Sequence, residues 1–250
     1  MTNLRARECA AILALVVLSA SPAAALDGEV LIDQAKVNAG GITPGDDPGF
    51  PVTLSRTGKY KLTGNLRAAA GANGIEVTAD YVTIDLNGFR TSGDDAANVG
   101  VNAPNADGLT VMNGTIEHFR SLGIVTRAFA VIQDMQISNN RSIGVRLADN
   151  GRVLRSTISE NISGNVRCNS KCLIAQNVVA RSALAYGIFF DASGNLVLGN
   201  VIAENHSFGI TAFGVTGFGN NTLTGNNNSS GQIFGPVSAV HPNFCQPACP

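Results

Sequence analysis

Short apolar stretches return at a constant interval along this chain, and each of them follows a glycine. A fixed period of this length indicates one structural unit stacked on copies of itself, each burying the apolar face of the next. The interval is about 22 residues, and two steps carry one extra residue: Gly74-Ile75, Gly100-Val101, Gly123-Ile124, Gly144-Val145, Gly164-Asn165-Val166, Gly187-Ile188, Gly209-Ile210 and Gly231-Gln232-Ile233.

The apolar alternation inside each unit is typical of β-strands. It extends over only a few residues before Gly, Asn or Ser interrupts it, which is too short for an amphipathic helix. A leucine-rich horseshoe has a similar period but needs leucines at fixed places, whereas these units use Ile, Val and Gly interchangeably. A central apolar position recurs at Ile116, Ile137, Ile158, Val179, Ile202 and Leu223.

Two columns of asparagine accompany the central position. Asparagine tolerates left-handed backbone and bonds its own turn, so these residues and most glycines are interpreted as turn residues. Stacked at about 4.8 Å, the side chains can also bond one another as a ladder. The first column is Asn140, Asn161, Ser182, Asn205 and Asn226, and the second is Ser156, Asn177, Asn200 and Asn221.

The first third of the chain carries more particular motifs: Ile32-Asp33-Gln34-Ala35-Lys36, Gly40-Gly41-Ile42-Thr43-Pro44-Gly45-Asp46, Pro48-Gly49-Phe50-Pro51-Val52-Thr53, Gly58-Lys59-Tyr60-Lys61-Leu62-Thr63-Gly64-Asn65-Leu66 and Val82-Thr83-Ile84-Asp85-Leu86-Asn87-Gly88-Phe89. With the repeat, they make the chain resemble exported bacterial proteins of the pectate-lyase-like superfamily, a group without settled activity. The resemblance implies an all-β fold, a single-stranded right-handed parallel β-helix of about eight coils. Function does not follow, because this superfamily includes lyases, hydrolases, epimerases, adhesins and non-enzymatic shafts.

The expected organisation has four parts. Residues 1–25 combine Arg5 and Arg7 with a short apolar run and small residues, which predicts a secretory signal peptide cleaved after Ala25. Residues 26–58 are expected to cap the first coil, with a short helix around 30–38, and residues 59–235 to form the β-helix. Residues 236–250 are expected to close the far end. The protein is therefore expected to be secreted or periplasmic, with no membrane insertion.

Four cysteines remain after the predicted cleavage site, namely Cys168, Cys172, Cys245 and Cys249. An even number in an exported protein indicates disulfides, and four cysteines allow three pairings. Pairing within each Cys-x3-Cys cluster is the simplest. The alternative is a four-thiolate metal site, which the oxidising compartment and the separation of the clusters disfavour.

Charge is distributed unevenly along the chain. Residues 26–117 carry twelve acidic and six basic residues, residues 118–181 carry three acidic and nine basic, and residues 182–250 carry two acidic and none basic. A basic belt in a nearly neutral protein indicates a local anion site and not a general affinity for nucleic acid, which requires a basic domain.

The repeat register places three residues of this belt on one face. Arg127, Arg146 and Arg167 are expected on successive coils, beside Phe189 and Asp191. Guanidinium groups suit the carboxylates of uronic acids, and a flat aromatic ring can support a sugar. Arg146 and Arg167 are also the candidate catalytic residues, since uronide lyases of the superfamily carry a basic residue on such a face. The alternative is that these arginines are ordinary solvated surface residues.

Other polar residues are weaker candidates. Glu160 and Glu204 could form a carboxylate pair, but Arg181 is expected between them, which favours a surface charge ladder. Asp85 is interpreted as ordering the first turns, and His118 as either a general acid or base or a solvated histidine.

The sequence thus predicts a protein that binds or processes an extracellular, acidic polysaccharide, by β-elimination if it is an enzyme. The alternative is a non-enzymatic, adhesin-like surface module that binds a protein partner. We expect the protein to be a monomer. We also expect no metal or other cofactor, because no cluster of outward carboxylates supports the calcium ion that such lyases often use.

Overall fold

A computed structural model describes residues 28–229, 231–246 and 249 and shows a parallel β-solenoid of about nine turns. This confirms the predicted all-β solenoid, for which about eight coils were expected. The strands form two hydrogen-bonded sheets of nine and seventeen strands. Within each sheet of the described residues, a strand pairs in parallel with the corresponding strand of the next coil. The larger sheet contains two ladders, so each coil contributes strands to three faces. The predicted signal peptide lies outside the described residues.

Face 1 is the nine-stranded sheet, and most of its strands begin directly after a step glycine. Its inward side chains are fully buried, among them Ile75, Val101 and Ile188. Its strands are Val52–Leu54, Ile75–Val77, Val101–Ala103, Ile124–Thr126, Ile143–Leu147, Gly164–Cys168, Ile188–Phe190, Ile210–Ala212 and Ile233–Phe234.

Face 2 follows face 1 in each coil and provides the first ladder of the larger sheet. Its strands are Glu29–Ile32, Gly58–Leu62, Val82–Asp85, the first part of Thr110–Glu117 and of Val131–Ser138, Arg152–Leu154, Leu173–Ala175, Asn195–Leu198, Thr216–Gly219 and Val237–Ala239.

Face 3 completes the coil and carries the central apolar position, which points inward. Its strands are Leu66–Arg67, Arg90–Ser92, the second part of Thr110–Glu117 and of Val131–Ser138, Thr157–Ser159, Val178–Ala180, Val201–Ala203, Thr222–Thr224 and Phe244–Gln246.

The N-terminal segment enters the solenoid early. Glu29–Ile32 pairs with Gly58–Leu62. The segment 26–58, which we expected to cap the first coil, therefore contains strands of the solenoid. A helix follows at Gln34–Ala39, capped by the carboxylate of Asp33, which accepts the Lys36 N–H. The predicted helix around 30–38 is thus partly a strand. A 3₁₀ helix at Asn226–Ser229 is the other helical element of the described residues.

Close stacking, and not turn conformation, explains most of the step glycines; the exceptions are Gly164, with a φ angle of 128°, and Gly231, where a Cβ atom would meet nothing closer than 3.4 Å. A Cβ atom on Gly123 would lie 2.6 Å from the Gly144 carbonyl oxygen, and one on Gly187 would lie 2.7 Å from the Gly209 oxygen. Neither glycine has a positive φ angle. The prediction that most glycines serve turns is therefore wrong for these positions, where the coils approach too closely for any side chain.

At the corners between strands, the left-handed backbone conformation is adopted mainly by residues other than the step glycines. Between faces 3 and 1 the positive φ angles belong to His118, Asn139, Glu160, Arg181 and Glu204, at 51–59°. Asn140, Asn161 and Asn205 directly follow Asn139, Glu160 and Glu204 and do not share the conformation. Our assignment of left-handed backbone to the ladder asparagines is therefore wrong by one residue.

Both asparagine columns form the predicted hydrogen-bonded ladders in the interior. Asn140 Nδ2 donates to Asn161 Oδ1 at 2.9 Å, and Asn205 Nδ2 donates to Asn226 Oδ1 at 2.8 Å. Where Ser182 interrupts the first column, the extra residue Asn165 bridges the gap. It accepts from Asn161 and donates to Asn205, both at 2.9 Å. The one-residue insertion in that step thus preserves the ladder.

The cysteines form the two local disulfides, Cys168–Cys172 and Cys245–Cys249. This confirms the simplest pairing and contradicts the four-thiolate metal site. The first disulfide closes the corner between faces 1 and 2, where Cys168 and Cys172 are both buried.

Candidate functional site

The outward residues of face 1 form one continuous column across the coils. The strand register pairs Val125 with Arg146, Arg146 with Arg167 and Arg167 with Phe189. Neighbouring strands are about 4.8 Å apart, so the two guanidinium groups of Arg146 and Arg167 extend from adjacent coils. The structure therefore brings Arg146, Arg167 and Phe189 into one column of face 1, and Arg127 directly follows the face 1 strand Ile124–Thr126.

A shallow groove of about 560 Å³ lies over these coils. Its floor is the outer surface of face 1, and one side is formed by residues at the ends of the same strands. We call it the arginine groove; it is lined by Pro104, Val125, Thr126, Arg127, Arg146, Leu147, Ala148, Arg167, Asn169 and Asp191. Four of the five predicted site residues thus line one groove.

Arg167 is held rigidly within the groove. Its Nε and Nη2 donate to the two oxygens of Asp191 at 2.9 and 2.6 Å, which is the bidentate geometry of a strong ion pair. Its guanidinium carbon lies 5.1 Å from the centre of the Phe189 ring, a cation–π distance. The hydrogen bonds to Asp191 raise the pKa of Arg167 further above its usual value, which favours the protonated guanidinium.

The other two arginines differ in their partners. Arg127 Nη1 lies 3.3 Å from Asp107 Oδ2 at the end of the groove. In the part of the chain that the structure describes, no carboxylate oxygen lies within 4.0 Å of the Arg146 guanidinium. Arg146 is exposed, so its positive charge is available to a ligand.

Five aromatic rings continue face 1 beyond the groove toward the C-terminal coils. The rings are in sequential contact, with centres 4.8 Å apart for Tyr186 and Phe189, 5.4 Å for Phe189 and Phe213, 6.3 Å for Phe213 and Phe234, and 5.4 Å for Phe234 and Phe208. We call this set the aromatic strip. Phe213 and Phe234 are 64% and 48% exposed, so the strip presents ring surface to solvent.

Tyr186 connects the strip to the groove. A Cβ atom on Gly164 would lie 2.5 Å from the Tyr186 ring, so the ring lies directly over that glycine. Burial raises the pKa of the Tyr186 phenol, against the opposing influence of Arg167 and Arg146. The hydroxyl is therefore a neutral hydrogen-bonding group beside two guanidinium groups.

The rim of the groove is fixed by Asp149. Its Oδ1 accepts from Ser170 Oγ and Asn169 Nδ2, both at 2.7 Å, and from the Ser170 N–H at 3.1 Å. These bonds, the one from the Ser170 hydroxyl first, lower the pKa of Asp149. A firmly ionised carboxylate thereby orients Asn169 at the edge of the groove.

The weaker sequence candidates lie away from face 1. Glu160 pairs with Arg181, whose Nη2 is 2.9 Å from its carboxylate, as the charge ladder predicts. That ladder does not continue to Glu204 among the ion pairs of the described residues. His118 Nδ1 lies 3.6 Å from Asp95 at the corner between faces 3 and 1. Asp85 accepts the Asn87 N–H at 2.8 Å, which orders that turn as expected.

Sequence reasoning missed most of the aromatic strip. Phe213 and Phe234 belong to outward columns that the period itself defines, so their grouping could have been found from the register. Tyr186 and Phe208 each precede a step glycine, at a corner where the repeat does not fix the direction of the side chain.

Comparison of the chain with protein-family models, with curated proteins and with solved structures gave no match. The described residues include no helix long and apolar enough to cross a membrane. They also include no group of three or more His, Cys, Asp or Glu side chains placed to hold a metal ion.

Proposed function

We propose that this protein binds an acidic polysaccharide along face 1. The observation that carries the proposal is the junction of the arginine groove with the aromatic strip on one parallel sheet. From the coil of Arg127 to the coil of Phe234 there are five intervals, which is about 24 Å at the usual strand spacing. An extended glycan lying along the solenoid axis would contact both parts.

The two parts recognise complementary features of a sugar chain. Guanidinium groups bind carboxylates through paired N–H donors. Aromatic faces support the apolar C–H surface of a sugar ring and contribute large contact areas at little entropic cost. The two disulfides agree with the oxidising compartment in which extracellular glycans occur.

The chemistry of the groove favours binding over cleavage. A β-elimination needs a group that removes a proton, and Arg167 is committed to Asp191 with a raised pKa. The neutral Tyr186 phenol has its pKa raised by burial as well, which disfavours the phenolate. We therefore propose that Arg146 and Arg167 position a carboxylate and do not catalyse its elimination.

The test measures retention of the protein on immobilised acidic glycans, with Phe213→Ala as the diagnostic variant. Phe213 contacts two other rings of the strip, so its loss should weaken binding by about 1–2 kcal/mol, or about 5- to 30-fold. Phe244→Ala is the matched control, since Phe244 is 60% exposed on face 3.

Equal retention of both variants, or no retention of the wild-type protein on any acidic glycan, would contradict the proposal. Binding of this protein to an immobilised extracellular protein, and not to a glycan, would support the adhesin-like alternative. New ultraviolet absorbance from unsaturated uronide ends would show that the groove catalyses elimination after all.

A further inference from the structure

Only one of the three arginines of the arginine groove lacks a carboxylate partner among the described residues. Arg127 already faces Asp107, and Arg167 already faces Asp191. These three guanidinium groups and two carboxylates leave a net charge of +1 on Arg146. The rim carboxylate of Asp149 is hydrogen-bonded to Ser170 and Asn169 and has the Lys171 charge near it. A second ligand carboxylate near either pair would compete with a carboxylate that the protein supplies itself.

The coils on both sides of the groove are unsuited to carboxylates. From Ser182 to the C-terminus the sequence contains no Lys or Arg, so the coils of the aromatic strip contribute no such cation. Ring faces carry negative quadrupole charge and repel an anion placed over them. On the N-terminal side of the groove, the face 1 strand Ile75–Val77 presents the outward residue Glu76. Its carboxylate, which accepts hydrogen bonds from Asn73 and Asn102, would repel a ligand carboxylate.

We infer that the ligand is a heteropolysaccharide in which an isolated uronate is followed by a run of neutral sugars. The uronate would lie at Arg146, with Tyr186 beside it, and the neutral sugars would lie on the exposed rings of Phe213 and Phe234. A homopolymer of uronic acids would place a carboxylate on every coil, including those with aromatic rings. This inference rests on the proposed function and narrows its substrate class.

The test compares three probes by calorimetric titration of the full protein. Gellan fragments carry one uronate in each tetrasaccharide repeat, polygalacturonate carries one on every sugar, and carboxyl-reduced gellan carries none. We expect gellan fragments to bind at least about tenfold more tightly than the other two, because only they match one carboxylate to one free guanidinium.

Salt dependence provides an independent measure of the number of ionic contacts. Because the charges of gellan are four sugars apart, salt acts on a single ionic contact by screening and not by release of condensed counterions, so raising the salt tenfold should weaken gellan binding by less than about tenfold. A weakening of about a thousandfold would indicate three ionic contacts and overturn the inference.

The failures of the two proposals are distinguishable. If polygalacturonate binds as tightly as gellan or more tightly, the inference is wrong but the proposed function stands. Equal binding of gellan and its carboxyl-reduced form would show that no carboxylate is recognised and would overturn both. If none of the three probes binds, the proposed function itself is wrong.

Discussion

Replacing Asn200 with alanine is expected to lower the free energy of unfolding by about 3–5 kcal/mol. The Asn200 side chain is 1% exposed and makes five hydrogen bonds. Its Oδ1 accepts from the backbone and side-chain nitrogens of Asn177, at 2.9 and 3.0 Å. Its Nδ2 donates to Asn221 Oδ1 and to two backbone oxygens. Alanine satisfies none of these groups and leaves buried donors and acceptors unpaired.

Urea-induced and thermal unfolding would measure the effect. For a protein of this size the loss corresponds to a decrease in Tm of about 6–20 °C. Asn169→Ala is the control, because Asn169 is exposed, lies outside both ladders and makes one side-chain bond, to Asp149. We expect that variant to lose less than about 1 kcal/mol. Similar small losses for both variants would show that the ladder contributes little to stability.

Replacing Arg146 with alanine is expected to weaken binding of an acidic glycan by about 10- to 150-fold with almost no change in Tm. The binding loss is that of a charge-assisted contact, about 1.5–3 kcal/mol. Stability should be unaffected because the side chain is exposed and lacks an ion-pair partner among the described residues. Removal of one of two stacked arginines also relieves the repulsion between Arg146 and Arg167.

Arg152→Ala provides the matched control for this variant. Arg152 is also exposed and has no ion-pair partner within the described residues, but it lies on face 2, where it pairs in register with Leu173. The Arg152→Ala variant should bind the glycan as the wild-type protein does. Equal weakening in both variants would mean that net charge, and not the groove, determines affinity.

Truncation of Arg167 should affect glycan binding differently from truncation of Arg146, although the sequence pattern predicts the same role for both residues. Truncation of Arg167 would leave the Asp191 carboxylate unpaired at the groove, so the loss of binding would include repulsion of the ligand. The distinction depends on side-chain pairing between residues 24 positions apart in the chain. A repeat period predicts which residues are neighbours, but not which of them pair.

The fold followed from the sequence because the same physical requirement recurs in every coil. Most step glycines mark the close approach of neighbouring coils, and the asparagine columns mark buried corners whose backbone needs hydrogen-bond partners. Asn165 could not be assigned from the period, since its role is to bridge the Ser182 gap from an inserted position. The same holds for Tyr186, whose ring direction depends on the space above Gly164.

The most direct test of a glycan site on face 1 is to map backbone amide shifts during titration with gellan fragments. We predict shifts confined to the coils from Arg127 to Phe234 on face 1, with the largest changes around Arg146, Arg167 and Phe189. Shifts centred on faces 2 or 3, or at the corner that carries His118, would contradict the account.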